Sequence, residues 1–322
     1  MAYFKSKATA APEQPTDPAS PTLPPAPAAT KDGARDFWLH WDYVLGLVPE
    51  LAAFGVPVLE AVGLTLQESI LAEQPVGDVP AGGVLIEKGT RVVPRMLGLL
   101  TGMGIQKVLA RPAPRVLVMA LSKEAIPASY LVAGQAQAAG AQAYRMEYIF
   151  NTAAETIPRI MEQLVRGDLI ITVGGLGEAG VDLKTVADQI GPHDFTPVAV
   201  SPGRDHGFAL AEGKIPLLAV PADVYSTFVL TKLLIEPMIA KLMGASTDPA
   251  LFSAYLAQPL KVPAQIVTCV PAIVADARMR ITGRPVGLEG LNQIYQANAL
   301  AILSAEDGLI ATDAEAFYLP LK

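Results

Sequence analysis

The sequence predicts an α/β fold: a three-layer αβα domain, preceded by an N-terminal linker domain and followed by a small C-terminal β domain. Two segments, 115–121 and 168–175, carry runs of aliphatic and β-branched residues. Such runs are typical of strands that are covered on both faces. Between residues 114 and 244, strand-like and helix-like segments alternate, which indicates parallel strands with helices on both faces of the sheet.

The central domain is placed at residues 113–246, and its elements follow from the apolar pattern. Strands are predicted at 115–121, 146–150, 168–175, 195–202 and 215–222, and helices at 128–139, 153–165, 181–191 and 225–244. Ligand sites of such sheets lie at the carboxyl ends of the strands. We therefore expect the ends of strands 115–121, 168–173 and 196–200 to share one edge.

The N-terminal linker domain is predicted over residues 36–112. It begins with an amphipathic helix over 36–54, because apolar residues recur there at helical spacing. A short strand and a helix are predicted over 56–73. The segment 81–110 has the pattern of strand, turn, helix and strand, with Gly89 supplying the turn.

The two ends of the sequence differ sharply. Residues 1–35 are predicted to be a disordered tail, because positions 11–30 hold seven prolines and five alanines and have little apolar surface to bury. A solubilising arm and a partner-docking tail are both compatible with this composition. Residues 247–322 are predicted to be a β-rich domain, in which a helix within LEGLNQIYQANALAIL interrupts several short strands.

Composition excludes several classes of protein. The 322 residues include one cysteine, Cys269, which rules out an internal disulfide framework and is expected to be a small buried side chain. The three histidines lack zinc-ligand spacing, so no metal site is expected. A net charge of −7 offers no basic face to nucleic acid. No apolar run is long enough to span a membrane and no signal-peptide core follows Met1, so we expect a cytoplasmic protein without membrane insertion.

Four segments follow one another in a specific order: VPVLEAVGLTLQESILAE, AGGVLIEKGTRVVPRMLGLLTGMGIQKVLARPAPRV, the 114–244 block, and LEGLNQIYQANALAILSAEDGLIATDAEAFYLPL. In this order they resemble the MoeA/gephyrin family of molybdenum-cofactor proteins, and they cover nearly everything from about residue 40 to 322. The resemblance implies a molybdopterin-binding domain of the MogA-like type over 113–246. It also implies molybdopterin molybdenumtransferase activity, which inserts molybdenum into adenylylated molybdopterin with the help of Mg²⁺.

The sequence departs from this family where an inserted domain is expected. In the family, the opening region continues into a Pro-Pro-Phe-Asp…Met-Asp-Gly-Tyr-Ala motif and then into domain II. Here residues 74–81 lead directly into the next segment, so the resemblance identifies a divergent member that lacks domain II. The loops by which that domain reaches the active site of a partner subunit are expected to be absent with it.

The first strand of the central domain is followed by Ser122, Lys123 and Glu124, where the family has Thr-Gly-Asp-Glu. Carboxylates in such a loop hold Mg²⁺, and small residues let backbone amides approach a phosphate. The resemblance assigns Ser122 to cofactor binding and Glu124 to catalysis. The alternative is that Lys123 and Glu124 form a solvated charge pair.

The second loop contains Gly174, Gly175 and Gly177, where the family has a Ser-Gly-Gly-Val-Ser-x-Gly-x-x-Asp motif. A Gly-Gly pair can bring the backbone close to a phosphate or pterin at a helix N-terminus. Asp182 aligns with the family's loop aspartate, which implies a catalytic role. Because it directly precedes a predicted helix, Asp182 is equally well explained as an N-cap.

The third and fourth loops also depart from the family. Gly203 and Arg204 replace part of a Pro-Gly-Lys-Pro motif, and the guanidinium can bind an anion bidentately unless the adjacent Asp205 neutralises it. Asp223 places a negative charge in a loop that the family reserves for Leu-Pro-Gly-Asn-Pro. A carboxylate there opposes binding of an anionic pterin.

With four altered loops, the sequence favours a non-catalytic homodimeric scaffold derived from a molybdenum-cofactor enzyme. No cofactor is then expected, whereas molybdopterin and Mg²⁺ are expected if activity is retained. The alternative is a working molybdenumtransferase or molybdopterin carrier. In the scaffold hypothesis a peptide or protein partner binds the cleft between the central and C-terminal domains, along an edge of mixed charge formed by Lys123, Glu178, Arg204, Asp205, His206 and Asp223.

Overall fold

A computed structural model describes residues 22–30, 32–148, 152–177, 181–283 and 287–321. The described chain forms an N-terminal unit, a central α/β unit and a C-terminal barrel, which confirms the predicted α/β class. No helix in this described part has the length and apolarity that a membrane span requires.

The first elements of the chain are short. In order they are α1 (Phe37–Leu47), β1 (Phe54–Pro57), a 3₁₀ turn (Val58–Ala61), β2 (Thr65–Leu66), β3 (Ile70–Leu71), β4 (Val84–Ile86), α2 (Pro94–Gly102) and β5 (Lys107–Arg111). β5 pairs with β1 and β2, and β3 pairs with β4. The helix predicted within 56–73 is therefore wrong. Its apolar residues face β5 and a separate core, and backbone pairing with β5 outweighs their helical spacing.

A closed turn occupies the place where the family resemblance puts domain II. The amide of Val76 donates to the carbonyl oxygen of Val79, and that of Val79 donates to the carbonyl oxygen of Val76, at 2.9 and 3.1 Å. Just outside this turn, the Ala72 amide donates to the Gly83 carbonyl oxygen at 2.9 Å. The backbone of this segment is thus satisfied locally by a hairpin.

Helix α1 packs on the central unit, although the sequence placed it in the N-terminal domain. Val44 and Leu45 join the core beneath the central sheet, whereas the core of the N-terminal unit begins only at Val56. Asp36 caps the helix by accepting a hydrogen bond from the Leu39 amide at 3.0 Å. The helix ends at Leu47, ahead of Pro49, rather than continuing to residue 54.

Residues 22–35 also lie against the central unit wherever they are described, so the predicted tail boundary at 35 is too late for them. The Tyr43 hydroxyl donates to the carbonyl oxygen of Pro24 at 3.0 Å, and Leu23 packs against the core. Arg35 forms a parallel bridge with Val198. Proline-rich chain has no internal hydrogen bonds to give up, so side chains of α1 can hold it in an extended conformation. Residues 1–21 lie outside the described residues.

The central unit alternates strands and helices. It comprises β6 (Arg115–Ala120), α3 (Ile126–Ala138), β7 (Gln142–Glu147), α4 (Ala153–Leu164), β8 (Leu169–Val173), α5 (Leu183–Ile190), β9 (His193–Asp194), β10 (Val200–Ser201), β11 (Gly207–Ala211), β12 (Ile215–Val220), α6 (Val224–Leu230), a π-helical turn (Thr231–Ile235) and α7 (Glu236–Leu242). Its described sheet has the order β7-β6-β8-β12-β11-β9, with the first four strands parallel.

Strand β6 shows why this sheet has helices on both faces. Val116, Val118 and Ala120 point into one core with α3 and α7, whereas Leu117 and Met119 point into a second core with α4 and α5. A strand with two buried faces needs apolar residues at both alternations, which is the pattern that the sequence predicted. The segment 195–202 differs from its prediction, because only β10 is extended there and it pairs outside this sheet.

A π-helical turn joins α6 to α7 and has a local cause. Pro237 lacks the N–H that would bond the carbonyl oxygen of Leu233 four residues earlier. The Trp41 indole Nε1 donates to this oxygen instead, at 2.8 Å. The Trp41 indole thus attaches α1 to the π-helical turn.

The C-terminal unit is a closed barrel. Its elements are β13 (Phe252–Leu256), β14 (Leu260–Lys261), β15 (Val267–Ala275), β16 (Arg278–Ile281), α8 (Gly287–Gln296), β17 (Ala299–Leu303), β18 (Leu309–Ile310) and β19 (Glu315–Pro320). Strands run in the order β15-β16-β13-β19-β17, and β17 pairs again with β15 to close the barrel. β10 of the central unit pairs in parallel with β15, so backbone hydrogen bonds join the two units.

Candidate functional site

The loop after β6 begins helix α3. The Ser122 hydroxyl is buried and accepts a hydrogen bond from the Ala125 amide at 3.2 Å. Lys123 and Glu124 are exposed. Hydrogen bonds from its own backbone amide and from Ser122 lower the pKa of the Glu124 carboxyl. The Glu124 carboxylate is therefore bound within its own loop at the protein surface.

The loop after β8 depends on glycine. Gly175 has φ +82°, and a Cβ there would lie 2.8 Å from the carbonyl oxygen of Val181. Gly174 and Gly177 also have positive φ. The Gly175 carbonyl oxygen accepts a hydrogen bond from the Leu183 amide at 2.9 Å, which ties the loop to the start of α5. Glu178 lies outside the described residues.

Asp182 is the N-cap of helix α5. Its Oδ1 accepts a hydrogen bond from the Lys184 amide at 3.1 Å, and its Oδ2 accepts one from the Thr185 hydroxyl at 3.4 Å. Both carboxylate oxygens thus serve the first turn of their own helix. Of the two roles that the sequence left open for Asp182, this geometry gives direct support to the cap.

The loop from Ser201 to His206 lies between the central unit and the barrel. Gly203 has φ +100°, and a Cβ there would lie 2.8 Å from Cγ of Leu230. Arg204 and Asp205 are exposed, and the Arg204 carbonyl oxygen accepts a hydrogen bond from the Val198 amide at 3.0 Å. Only glycine therefore allows this loop to pack so close to helix α6.

A cavity of about 390 Å³ opens beside this loop, and we name it the cleft. Arg204, Asp205 and Asp223 line it from the central unit, and Pro263 and Ile266 line it from the barrel unit. An apolar groove of about 230 Å³ shares three of its lining residues. These are Ser201, Pro202 and Pro263.

The predicted site residues are only partly brought together. Gly203 lines the cleft with Arg204, Asp205 and Asp223, whereas Ser122, Lys123 and Glu124 line neither the cleft nor the groove. Gly177 and Asp182 line a neighbouring cavity of about 300 Å³ with Asp205. Asp223 is also the N-cap of α6 and accepts a hydrogen bond from the Ser226 amide at 2.8 Å.

The sequence predicts His206 at a partner-binding edge, but its side chain is almost fully buried. His206 is only 2% exposed, and it lines the neighbouring cavity with Asp205. Its Nδ1 lies 2.7 Å from the Gly203 carbonyl oxygen, and its Nε2 lies 3.0 Å from Nε2 of His40. The charged residue beside it, Asp205, is exposed, because the loop turns inward at position 206.

His206 belongs to a row of hydrogen-bonded polar groups that we name the relay. It runs from the Gly203 carbonyl oxygen through the side chains of His206, His40, Arg35 and Asp194. One Arg35 terminal nitrogen lies 3.2 Å from Nδ1 of His40, and the other donates to the Asp194 carboxylate at 2.8 Å. Arg35 and His40 are 3% and 2% exposed. Sequence reasoning missed the relay, although a histidine on the buried face of an otherwise apolar helix was a usable signal.

Burial controls the ionisation of the relay. It lowers the pKa of His40 to about 3, with the charges of His206 and Arg35 acting in the same direction. Burial also lowers the pKa of His206, although its hydrogen bond to Gly203 opposes the shift. Burial opposes ionisation of Asp194 as well, but hydrogen bonds from Thr196 and Arg35 outweigh it and hold this pKa below its usual value. The relay thus combines an ion pair with two neutral imidazoles.

The described side chains do not assemble a magnesium site. Mg²⁺ needs oxygen ligands that converge in an octahedron at about 2.0–2.1 Å. Both oxygens of Asp182 accept hydrogen bonds from its own helix, and Glu124 is bound within its own loop. Among the described residues, no three acidic, histidine or cysteine side chains cluster around a common point.

The fold and the loops can be compared with known proteins. No family model matches the chain. Molybdopterin molybdenumtransferase 1 of Mycobacterium tuberculosis is 28% identical over 182 residues, which cover 52% of this chain and 43% of that protein. The molybdopterin molybdenumtransferase of Bacillus subtilis is 26% identical over 245 residues, which cover 70% of this chain and 57% of that protein. In sequence, the chain is similar to molybdopterin molybdenumtransferases.

Solved structures give the same fold. A molybdenum cofactor biosynthesis protein from Pyrococcus furiosus superposes with a TM-score of 0.71 at 18% identity, over 89% of this chain and all of that one. A molybdopterin biosynthesis MoeA protein from Pyrococcus horikoshii has the same TM-score at 13% identity, over 89% of this chain and all of that one. The chain spans about half the length of the curated relatives it matches.

Proposed function

We propose that this MoeA-like chain is a non-catalytic scaffold whose cleft binds a peptide segment of a protein partner. The observation that carries the proposal is that the acidic residues of the loops form hydrogen bonds within their own loops and helices. Asp182 and Asp223 cap helices, and the Glu124 carboxylate is bound within its own exposed loop. Catalysis requires a preorganised constellation, and residues that already serve local structure do not form one.

The charges of the cleft favour a peptide over a phosphorylated pterin. Two carboxylates, Asp205 and Asp223, face one guanidinium, Arg204. A polyanionic ligand would meet more repulsion than attraction along this wall. A peptide with both positive and negative side chains can form a favourable ionic contact with each of these groups. Because the charges of the cleft alternate in sign, only one alignment of the peptide satisfies them all.

The apolar groove extends the cleft in a way that suits a peptide side chain. Three aliphatic residues, Leu260, Val262 and Ile281, line the groove. Two prolines, Pro202 and Pro263, line both the groove and the cleft. Prolines offer rigid apolar surface that loses little conformational entropy on binding. The proposed ligand therefore places an apolar side chain in the groove and its charged neighbours in the cleft.

The test uses two matched charge reversals. Peptides selected from a displayed random library against the wild-type protein are expected to carry an apolar residue flanked by opposite charges. Arg204→Glu is expected to weaken their binding at least tenfold, a loss of about 1.4 kcal/mol. Lys123→Glu changes an exposed cation outside the cleft and is expected to change binding less than twofold. Equal binding to all three proteins would place the peptide site elsewhere.

Molybdenumtransferase activity is the second candidate function, since curated relatives carry that name. The glycine loop after β8 favours it, because Gly174 and Gly175 keep a backbone conformation that can approach a phosphate. Complementation of a strain that lacks its own MoeA separates the candidates. Growth that depends on a molybdoenzyme would overturn the scaffold proposal, and fluorescence assay of pterin in the purified protein would detect a carrier.

We also propose a homodimer. The long apolar segment 225–244 offers little surface for it, because most of its residues are buried within the chain. The N-terminal unit instead exposes five large apolar side chains, which we propose as the dimer face. They are Phe54, Leu59, Val62, Leu71 and Val84. Light scattering should give twice the chain mass for the wild type and monomer mass for Leu59→Glu. Monomer mass for the wild type would refute the dimer.

A further inference from the structure

The relay has only one consistent arrangement of protons. A guanidinium can only donate, so Nδ1 of His40 accepts from Arg35, and His40 carries its proton on Nε2. At the other end a carbonyl oxygen can only accept, so Nδ1 of His206 donates to Gly203 and its Nε2 accepts. The two ends independently require the His40 Nε2–H to donate to His206 Nε2.

The relay joins two segments that are remote in sequence. At one end His206 holds the carbonyl oxygen of Gly203, which lines the cleft. At the other end Arg35 donates from Nε to the carbonyl oxygen of Pro27 at 2.8 Å, and the Arg35 amide donates to that of Pro197 at 2.8 Å. The cleft loop and the N-terminal segment 22–35 are therefore attached to the same row of side chains.

We propose that His206, acting through His40, is a positioning residue of the cleft: the neutral imidazole pair holds the loop at Gly203 and couples it to segment 22–35. The proposal concerns the conformation of the loop and does not depend on which ligand the cleft binds. It implies that a change in the conformation of the cleft loop alters the hydrogen bonds of Arg35, and through them the N-terminal segment.

A proton added to either imidazole breaks the coupling. On His206 it would set two Nε2–H donors against each other, and on His40 it would set an Nδ1–H against the Arg35 guanidinium. Four charged or titratable groups surround the imidazole pair, either within the relay or beside it. Asp194 and Asp205 favour protonation, the Arg35 charge opposes it, and the neutral ring of Tyr43 lies 5.6 Å from the guanidinium.

Imidazole nitrogen NMR tests the proton arrangement directly. The chain has three histidines, so a His193→Gln variant leaves only the relay signals. We expect His40 as the Nε2–H tautomer and His206 as the Nδ1–H tautomer, both neutral at pH 7. The opposite tautomers, or a doubly protonated ring at pH 7, would overturn the proposal.

Two substitutions at position 206 test the positioning role by cutting the relay on opposite sides. His206→Asn can keep the donor to Gly203 and removes the acceptor for His40, whereas His206→Gln can keep the acceptor and removes the donor. Two amides measure the outcome, one on each side of the relay. The Val198 amide donates to the Arg204 carbonyl oxygen and monitors the cleft loop, and the Arg35 amide donates to the Pro197 carbonyl oxygen and monitors the N-terminal segment.

Amide hydrogen exchange at pH 7 is then compared between the two variants. His206→Gln should speed exchange about tenfold at Val198 and less than twofold at Arg35, and His206→Asn should do the reverse. A residue that merely fills space would speed both amides equally in both variants. That equal response would refute a positioning role, as would an unchanged rate at both amides.

Discussion

Two groups of ionisable residues in this protein behave in opposite ways, one in surface loops and one beneath the cleft loop Ser201–His206. At the surface, Glu124, Asp182 and Asp223 are exposed and each is hydrogen-bonded within its own turn. Beneath the loop, Arg35 and His40 are almost fully buried and bond to residues more than a hundred positions away. The first group follows strands in the sequence, as catalytic residues often do, whereas the second follows no motif.

The difference shows that burial, more than position after a strand, decides how much an ionisable group matters. An exposed cap contributes about 1 kcal/mol or less and tolerates exchange for another capping residue. A buried charge that loses its partner costs several times more. The experiments below change one group at a time and are ordered by the size of the expected effect.

Arg35→Ala should have the largest effect. It leaves the Asp194 carboxylate and the Nδ1 of His40 without their donor in a buried environment. We expect the free energy of unfolding to fall by about 3–5 kcal/mol, the usual cost of breaking a buried pair. Arg204→Ala, which removes an exposed guanidinium nearby, should change stability by less than about 0.5 kcal/mol. Urea unfolding of both variants measures the two free energies of unfolding. Equal losses of stability in the two variants would contradict the prediction.

Acid should destabilise the protein through the buried histidines. Their pKa values are lowered in the native state, so below about pH 6.5 the unfolded chain binds protons that the native state excludes. Stability then falls with decreasing pH, by up to about 1.4 kcal/mol per pH unit for each histidine. For His40 this continues towards its native pKa of about 3.

Urea unfolding between pH 7.5 and 4.5 measures this slope. His40→Gln should reduce the slope, because one of the two buried titrating groups is gone. His193→Gln is the control, since the His193 ring is partly exposed beside Asp188 and is not part of the relay. If both variants keep the wild-type slope, carboxylates rather than the relay cause the acid sensitivity.

Trp41→Phe should have an intermediate effect. It removes the indole donor from the Leu233 carbonyl oxygen, which has no N–H to accept from at Pro237, four residues on. An unsatisfied buried acceptor costs about 1–3 kcal/mol. Trp38→Phe changes the other indole of the same helix and should cost less. The midpoints of thermal unfolding compare the two, and an equal loss would show that indole packing outweighs the hydrogen bond.

Asp182 should give the smallest effect and the clearest contrast with the relay. Asp182→Ala removes the cap of α5 and should cost about 1 kcal/mol, whereas Asp182→Asn keeps a capping oxygen and should cost a few tenths. Stability measured by urea unfolding separates the two substitutions. Should Asp182→Asn abolish molybdenum-dependent growth in the complementation assay while the fold stays intact, Asp182 would have a catalytic role beyond its cap.

The sequence predicted most of the central unit because burial on both faces leaves a clear composition in β6 and β8. Prediction from the sequence failed for strands whose pairing partners lie far away along the chain. Residues 56–73 have leucines and isoleucines at a spacing that suits either helix or strand, and only pairing with β5 decides. The segment 195–202 has the composition of a strand, but its partner is β15, in another unit.

The candidate site could be located from the sequence but its roles could not be assigned. Loops that follow parallel strands meet at one edge, and Asp223 follows β12 of the parallel sheet as that rule requires. Arg204 reaches the same cleft by another route, because the strand before it, β10, pairs with β15 of the barrel. Whether Asp182 caps a helix or faces a ligand depends on side-chain orientation, which spacing does not encode. The relay joins positions 35, 40, 194 and 206, and only the folded chain brings these together.

The pairing of β10 with β15 has a consequence for the ribosome-bound chain. Strand β10 precedes the cleft loop directly, and its hydrogen-bonding partners, Val267 and Thr268, emerge from the ribosome much later than it does. During synthesis the central sheet can form while this loop still lacks its neighbour. A nascent chain stalled before residue 267 should therefore carry a folded α/β core whose cleft loop still lacks its partner strand.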